Sequence, residues 1–156
     1  MFSKEEEKAI KLEFWQEFNT YCRNHPDLRK RKVPFVLHNT GINHVDLKFD
    51  VARDWIRVAV EVNHRNQDRR LDVYEYVEAF KVILEQDLDN VIWNFAFIRE
   101  NGQEVGRAYV ERRDVDFLNP ADWPEIFKFM ADKMIILQRN FFEIRDTLKQ
   151  QLRSVM

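Results

Sequence analysis

Apolar residues recur at helical spacing near the start of the chain. Ile10, Phe14, Trp15, Phe18, Tyr21 and Cys22 fall on one face. That pattern predicts a helix over 3–24. Ser3 stands at its N-cap, Glu5, Glu6 and Glu7 lie where the helix dipole favours acid, and Pro26 follows its end. The pattern then changes to alternation. Val33–His38 reads as a first strand, followed by the turn signal Asn39-Thr40-Gly41. His44–Val51 places Val45, Leu47, Phe49 and Val51 on one side and Asp46, Lys48 and Asp50 on the other. Trp55–His64 alternates in the same way, with Ile56, Val58, Val60 and Val62 apolar. Strict alternation marks a half-buried sheet.

Helical spacing returns over Leu71–Gln86, carried by Leu71, Tyr74, Val77, Phe80 and Leu84. Two further strands, Val91–Ile98 and Glu104–Arg112, flank the hairpin signal Asn101-Gly102. In the first of these, Trp93, Phe95 and Phe97 are expected on one face, with Asn94 and Ala96 opposite. Pro124 fits the first position of a last helix of about 30 residues, about 45 Å long. Phe127, Met130, Met134, Leu137, Phe141, Ile144, Leu148 and Leu152 form a heptad-like stripe along it, and Phe129, Ile136 and Phe142 form a second. The predicted order is helix, three strands, helix, two strands, long helix. It defines an α+β fold with a mostly antiparallel five-stranded sheet, helices on its apolar face, and one domain over residues 1–156.

Composition narrows the classes. The 156 residues carry 25 Lys plus Arg against 27 Asp plus Glu, a formal net charge of -2, which excludes a globally basic nucleic-acid binder. The single cysteine, Cys22, excludes an intrachain disulfide framework and a cysteine-rich zinc site. No apolar run reaches the ~18 residues of a membrane span, and the acidic start is unlike a secretory signal. The expectation is a soluble cytoplasmic protein without membrane partners.

One constellation carries candidate chemistry. If Arg53-Asp54 is a two-residue turn between the second and third strands, Asp50 faces Arg57, Lys48 faces Ala59, Asp46 faces Glu61 and His44 faces Asn63. Two opposed carboxylates repel unless something neutralises them. A divalent cation is one solution, since hard cations take carboxylate oxygens. The element order is that of a restriction-endonuclease-like core, in which the second strand supplies an Asp and the third a Glu-x-Lys. Here Asp46 and Glu61-Val62-Asn63 occupy those places, with Glu13 as a further acid. Asp46, Glu61 and Asn63 are therefore the candidate catalytic residues, and Asp46 and Glu61 the candidate ligands of Mg2+ or Mn2+. The lysine place holds Asn63, which leaves Lys48 or Arg57 as substitutes. The competing reading is a solvated sheet face of mixed charge that needs no cofactor, and a register slipped by two residues would pair His44 with Glu61 and remove the conflict.

Two basic segments bear on partners. Arg29, Lys30, Arg31 and Lys32 are candidates for gripping nucleic-acid phosphates, against a plain solvated loop. The stretch from His64 to Arg70 is dense in donors ahead of a helix, where an anion can bind, against a hydrated loop. His25, His38, His44 and His64 lack metal-ligand spacing, and Cys22 reads as a buried inert thiol. No P-loop, G-x-S-x-G or G-x-G-x-x-G is present.

With these landmarks placed, the whole chain resembles a bacterial family, the domain-of-unknown-function family 4268. The resemblance rests on Phe14-Trp15-Gln16-Glu17-Phe18, Asn39-Thr40-Gly41-Ile42, Tyr76-Val77-Glu78-Ala79-Phe80 and Val91-Ile92-Trp93. Its most specific part is Asp122-Trp123-Pro124-Glu125-Ile126-Phe127, followed by Met130-Ala131-Asp132-Lys133-Met134 and Phe141-Phe142. It implies a stand-alone copy of a domain that elsewhere follows nuclease-like domains. It transfers no active-site residue, and it leans toward nucleic-acid processing by association only. The favoured expectation is a non-enzymatic interaction module, a homodimer through the long last helix. The alternative is an active or degenerate restriction-endonuclease-like domain that acts on or binds nucleic acid.

Overall fold

The computed structural model describes residues 2–29 and 40–154. Helix α1 (Lys4–Asn24) starts at Ser3, whose hydroxyl accepts the Glu6 N–H. Strands β1 (Val45–Val51) and β2 (Trp55–Val62) follow, then helices α2 (Gln67–Glu78) and α3 (Lys81–Leu84). Strands β3 (Ile92–Ile98) and β4 (Glu104–Arg113) precede a short 3-10 turn, Pro120–Asp122, and the 31-residue helix α4 (Trp123–Arg153). The architecture is α+β. Its sheet has four strands, not five, in the order β1-β2-β4-β3. The expected strand Val33–His38 lies outside the described residues. No helix among the described residues is long and apolar enough to cross a membrane.

The β1–β2 hairpin has the register that the Arg53-Asp54 turn dictates. The Asn63 N–H donates to the His44 carbonyl at 2.9 Å and the Ala52 N–H to the Trp55 carbonyl at 2.9 Å. β3 and β4 are antiparallel, with Trp93 opposite Ala108 and Asn94 opposite Arg107. Phe97 is then opposite Val105, so β3 carries one extra residue in a bulge between Asn94 and Phe97. The Asn94 side chain closes the bulge by accepting the Ala96 N–H at 3.0 Å. A bulge of one residue inverts the alternation beyond it. Trp93 and Phe95 pack on Tyr74 of α2, whereas Phe97 packs on Tyr109 of β4. The expectation of one aromatic face is corrected accordingly.

The expected helix over 71–86 is two helices. It begins earlier, because Asn66 caps it by accepting the Arg69 N–H at 3.0 Å. Tyr74, Val77 and Leu84 are buried as expected, but in the first turn Arg70 is buried at 4% exposure while Leu71 is 38% exposed.

Contacts divide the described residues into two compact units. The first takes residues from 1–38, 49–57 and 111–132. Its core is aromatic: Phe14 and Phe18 of α1 are fully buried, and Phe14 meets Phe117, Trp123 and Phe127 at centroid distances of 5.2–5.9 Å. The Trp123 indole N–H donates to the Phe117 carbonyl at 2.6 Å, so this buried ring leaves no orphan donor. Cys22 is buried here, and burial pushes its thiol up to about 12, which keeps it protonated.

The second unit takes residues from 39–48, 58–110 and 133–156. Val58, Val60 and Val62 of β2, Val73 and Val77 of α2 and Leu137, Phe141, Ile144 and Leu148 of α4 are buried within it. Asn140, fully buried on α4, donates to the carbonyls of Leu84 (3.0 Å) and Gln86 (2.8 Å), which satisfies the end of α3. All eight residues of the heptad-like stripe, from Phe127 to Leu152, are buried within the single chain.

Gly106 lets β4 pass against α2: a Cβ there would lie 2.6 Å from Cδ2 of Tyr74, whose ring is held by Trp93 and Phe95. Gly106→Ala is expected to cost about 1–3 kcal/mol through overpacking. In a thermal melt that is a fall of roughly 2–4 °C per kcal/mol, and Gly102→Ala, where nothing lies within 4 Å, supplies the comparison for backbone strain alone.

A charge cluster around Glu61

β2 ends on a carboxylate that the fold buries completely. Glu61 is 0% exposed, although its neighbours along β2 on the same sheet face, Arg57 and Asn63, are half-buried. Burial of an unpaired carboxylate would cost several kcal/mol, and the surrounding strands supply its partners. From β4, Arg107 brings Nε and Nη2 each to 2.7 Å from Oε2. From β1, Lys48 Nζ lies 3.2 Å from Oε1. Just past β3, the Arg99 guanidinium donates to both carboxylate oxygens. One residue past β2, Asn63 Nδ2 donates to Oε1 at 3.2 Å. All of these residues belong to the second unit.

The bulge in β3 makes this possible. Without the extra residue, Phe97 and Arg99 would lie on the same face as Trp93, away from Glu61. With it, Phe97 comes under the Arg107 guanidinium at 4.3 Å, a cation–π contact, and Arg99 reaches Glu61. Gln103 accepts from Arg99 Nη1 at 2.7 Å and fixes the guanidinium from behind. The electrostatics follow. Desolvation is the largest single influence on Glu61 and raises its pKa. The Arg99 hydrogen bond, the charges of Arg107 and Lys48 and the Asn63 hydrogen bond together outweigh it and hold the carboxyl at about 2.

The sequence-predicted residues meet here. Asp46 faces Glu61 across the β1–β2 ladder, and Asn63 Nδ2 donates to Asp46 Oδ2 at 2.8 Å as well as to Glu61. The amide thus stands between the two carboxylates, in the space that a shared divalent cation would need. With Lys48, Arg99 and Arg107 already around Glu61, the donor set does not fit a metal, and no group of three or more metal-ligating side chains occurs among the described residues. Arg57, a possible stand-in for the missing lysine, pairs with Glu111 at 2.9 Å and lies over the Trp55 ring. Glu13 is an exposed residue of α1. Of the basic run, Arg29 is exposed, whereas Lys30, Arg31 and Lys32 lie outside the described residues.

Sequence reasoning missed Arg99 and Arg107. Arg107 shares its face of β4 with the apolar Val105 and Tyr109, all three buried, and a charge between two apolar residues on one face is a signal for a buried duty. Arg99 is hidden by the bulge.

Fold and cluster together define an α+β domain with an antiparallel sheet that carries a buried, internally neutralised glutamate beside Asp46. The chain belongs to the DUF4268 family, a domain of unknown function, whose model matches residues 10–145. Comparison with curated proteins and with solved structures gave no match.

Glu61→Gln removes the anion and leaves Arg107, 3% exposed, beside a neutral amide. The expected loss is about 3–5 kcal/mol in urea unfolding. The pH dependence has a fixed sign. A carboxyl whose pKa falls on folding stabilises above its ordinary value of 4.5, and that contribution is lost as pH drops from there toward about 2. Wild-type stability should therefore fall more steeply than that of Glu61→Gln below pH 4.5, and parallel curves would contradict the assignment.

Proposed function

We propose that the chain is a non-enzymatic interaction module that self-associates through the outward face of α4. The observation that carries the first half is the Asn63 amide bridging Asp46 and Glu61. In the acidic pair that resembles a catalytic centre, both oxygens of Glu61 are engaged by the protein's own donors, and Asn63 takes Oδ2 of Asp46. Glu61, held by three cations, is poorly placed to position a metal-bound water.

The second half concerns what α4 leaves outside. The heptad-like stripe serves the core of the chain, so it is not a seam for a partner. Outward there remain the half-buried Ile135 and Ile136 and the 44% exposed Phe142. An exposed aromatic on a long helix is the kind of anchor that homodimer interfaces bury. Sedimentation velocity of the wild type should give about twice the 19.1 kDa chain mass, and Phe142→Glu should give one chain mass with little change in melting. Leu137, 5% exposed, is unsuitable for this purpose because its substitution would unfold the core. A wild-type monomer, or a dimer unaffected by Phe142→Glu, would overturn the α4 interface.

A restriction-endonuclease-like reading keeps one supporting observation, that Asp46 and Glu61 do face each other. It requires Mn2+ to bind the folded state and raise its stability, by about 2.7 kcal/mol at a hundredfold excess over Kd. The interaction reading expects no melting shift with Mn2+ in the wild type or in Glu61→Gln. A shift confined to the wild type would favour the nuclease.

A further inference from the structure

An open groove of about 560 Å3 lies between the end of α1 and the start of α4, within the first compact unit. Three aromatic rings form its floor. Phe127 meets Tyr21 on one side and Trp123 on the other, at centroid distances of 5.7 and 6.0 Å. Trp123 and Phe127 are held by the aromatic core and are largely buried, whereas Tyr21 is half-buried. Pro26, Pro120 and Pro124 supply the rest of the apolar wall. Rings and prolines have little freedom to lose when a ligand settles on them, so the groove is preorganised.

The polar groups of the groove add direction. Neither the Tyr21 hydroxyl nor the Asn24 side-chain amide makes a hydrogen bond among the described residues, so both are donors open to a ligand. Desolvation raises the Tyr21 pKa, which keeps the phenol protonated and able to donate. Glu17 is the one acid among the described residues that line the groove, and no lysine or arginine lines it. Glu17 is exposed and has no cation within ion-pair distance among the described residues. Of the cations nearby, Lys128 is paired with Asp132 at 2.6 Å, and Arg23 bonds the Thr20 hydroxyl.

We propose that this groove binds a proline-rich peptide in the polyproline II conformation, carrying a basic residue that meets Glu17. A polyproline II segment makes no internal hydrogen bonds, so its carbonyls are open to the Tyr21 hydroxyl and the Asn24 amide. One turn is three residues and about 9 Å long, and its proline rings pack flat on aromatic faces. An extended strand would need a sheet edge for its main chain. The walls here are helical, and their own main-chain groups are engaged within the helices. The charge of Glu17 favours a basic flank and disfavours an acidic one. The site rests on the reading of the chain as an interaction module, but it does not depend on self-association through α4.

The test is isothermal titration calorimetry and 15N–1H NMR of the full chain with a synthetic peptide of two arginines followed by eight prolines. Saturable binding is expected, with shifts of the Trp123 indole N–H and the Asn24 side-chain amide signals. Two arginines followed by alternating glycine and serine, and two glutamates followed by eight prolines, should each bind more weakly. Tyr21→Phe keeps the ring and removes one hydrogen bond, and should weaken the arginine–proline peptide by about threefold to tenfold. Glu17→Lys should weaken it by at least about threefold. Glu75→Lys, an exposed position of α2, should bind as the wild type does. All three variants are first checked for unchanged melting. Absence of saturable binding, or equal binding of the glycine–serine peptide, would overturn the site. So would unaltered binding by Tyr21→Phe, or equal loss in Glu17→Lys and Glu75→Lys, which would mean diffuse electrostatics only. A fall of Glu17→Lys from two chain masses to one in sedimentation would make the groove a contact between copies and would overturn it too. The response to Phe142→Glu is read separately, so failure of the groove and failure of the α4 interface are distinguishable.

Discussion

A single buried carboxylate sets terms for three strands and a bulge. Glu61 is completely enclosed, and it stays ionised only because cations from β1, from β4 and from the end of β3 converge on it. Each of those contacts fixes a register. Lys48 reaches Glu61 only if the β1–β2 hairpin turns at Arg53-Asp54, and Arg107 reaches it only if β4 lies antiparallel beside β2 in one alignment. Slippage of either strand by one residue would send the cation to the other face and leave the charge unpaired. The low effective dielectric that makes the cluster strong also makes the misregistered states costly. The cluster therefore selects one arrangement of the sheet from several that the apolar alternation alone would allow.

How much of this was legible in the sequence follows from how local each constraint is. The β1–β2 hairpin is a local object: two clean alternations and a short connection leave two registers, one pairing Asp46 with Glu61 and His44 with Asn63 and one slipped by two residues, and the ladder has the first. What neutralises the pair is not local. Arg107 is brought in across a helical connection, and no spacing rule joins it to Glu61. The bulge is harder still, because a single residue between Asn94 and Phe97 inverts every later position. Period-two reasoning placed Phe97 with Trp93 for that reason. On α2 the expected positions Tyr74 and Val77 are buried, but in the first turn the buried place falls to Arg70, which pairs with Glu104 of β4, and not to Leu71.

The stripe on α4 illustrates a different limit. Spacings of three and four residues identify an apolar face, but core and coiled-coil seam share that spacing. The burial of every residue from Phe127 through Leu152 along the stripe assigns it to the core. A helix of 31 residues can be this apolar in a small chain because it serves both compact units in turn, residues 123–132 in one and 133–153 in the other.

The place of Asn63 joins the chemistry to the fold. In a nuclease-like centre a lysine two residues past the glutamate would sit beside a metal-bound water. Here the cationic charge is carried by Lys48, Arg99 and Arg107 around Glu61, and the neutral Asn63 amide donates to both carboxylates. The two arrangements place the positive charge differently. A divalent cation between Asp46 and Glu61 would lie close to three positive side chains and would have to displace the amide that bridges the carboxylates. Conversely, with the metal absent, a lysine at the position of Asn63 would add a fourth cation to one buried anion and overcompensate it. An asparagine is the side chain that can donate to both carboxylates without changing the charge balance, which is why the missing lysine and the surplus of arginines around Glu61 are two sides of one solution.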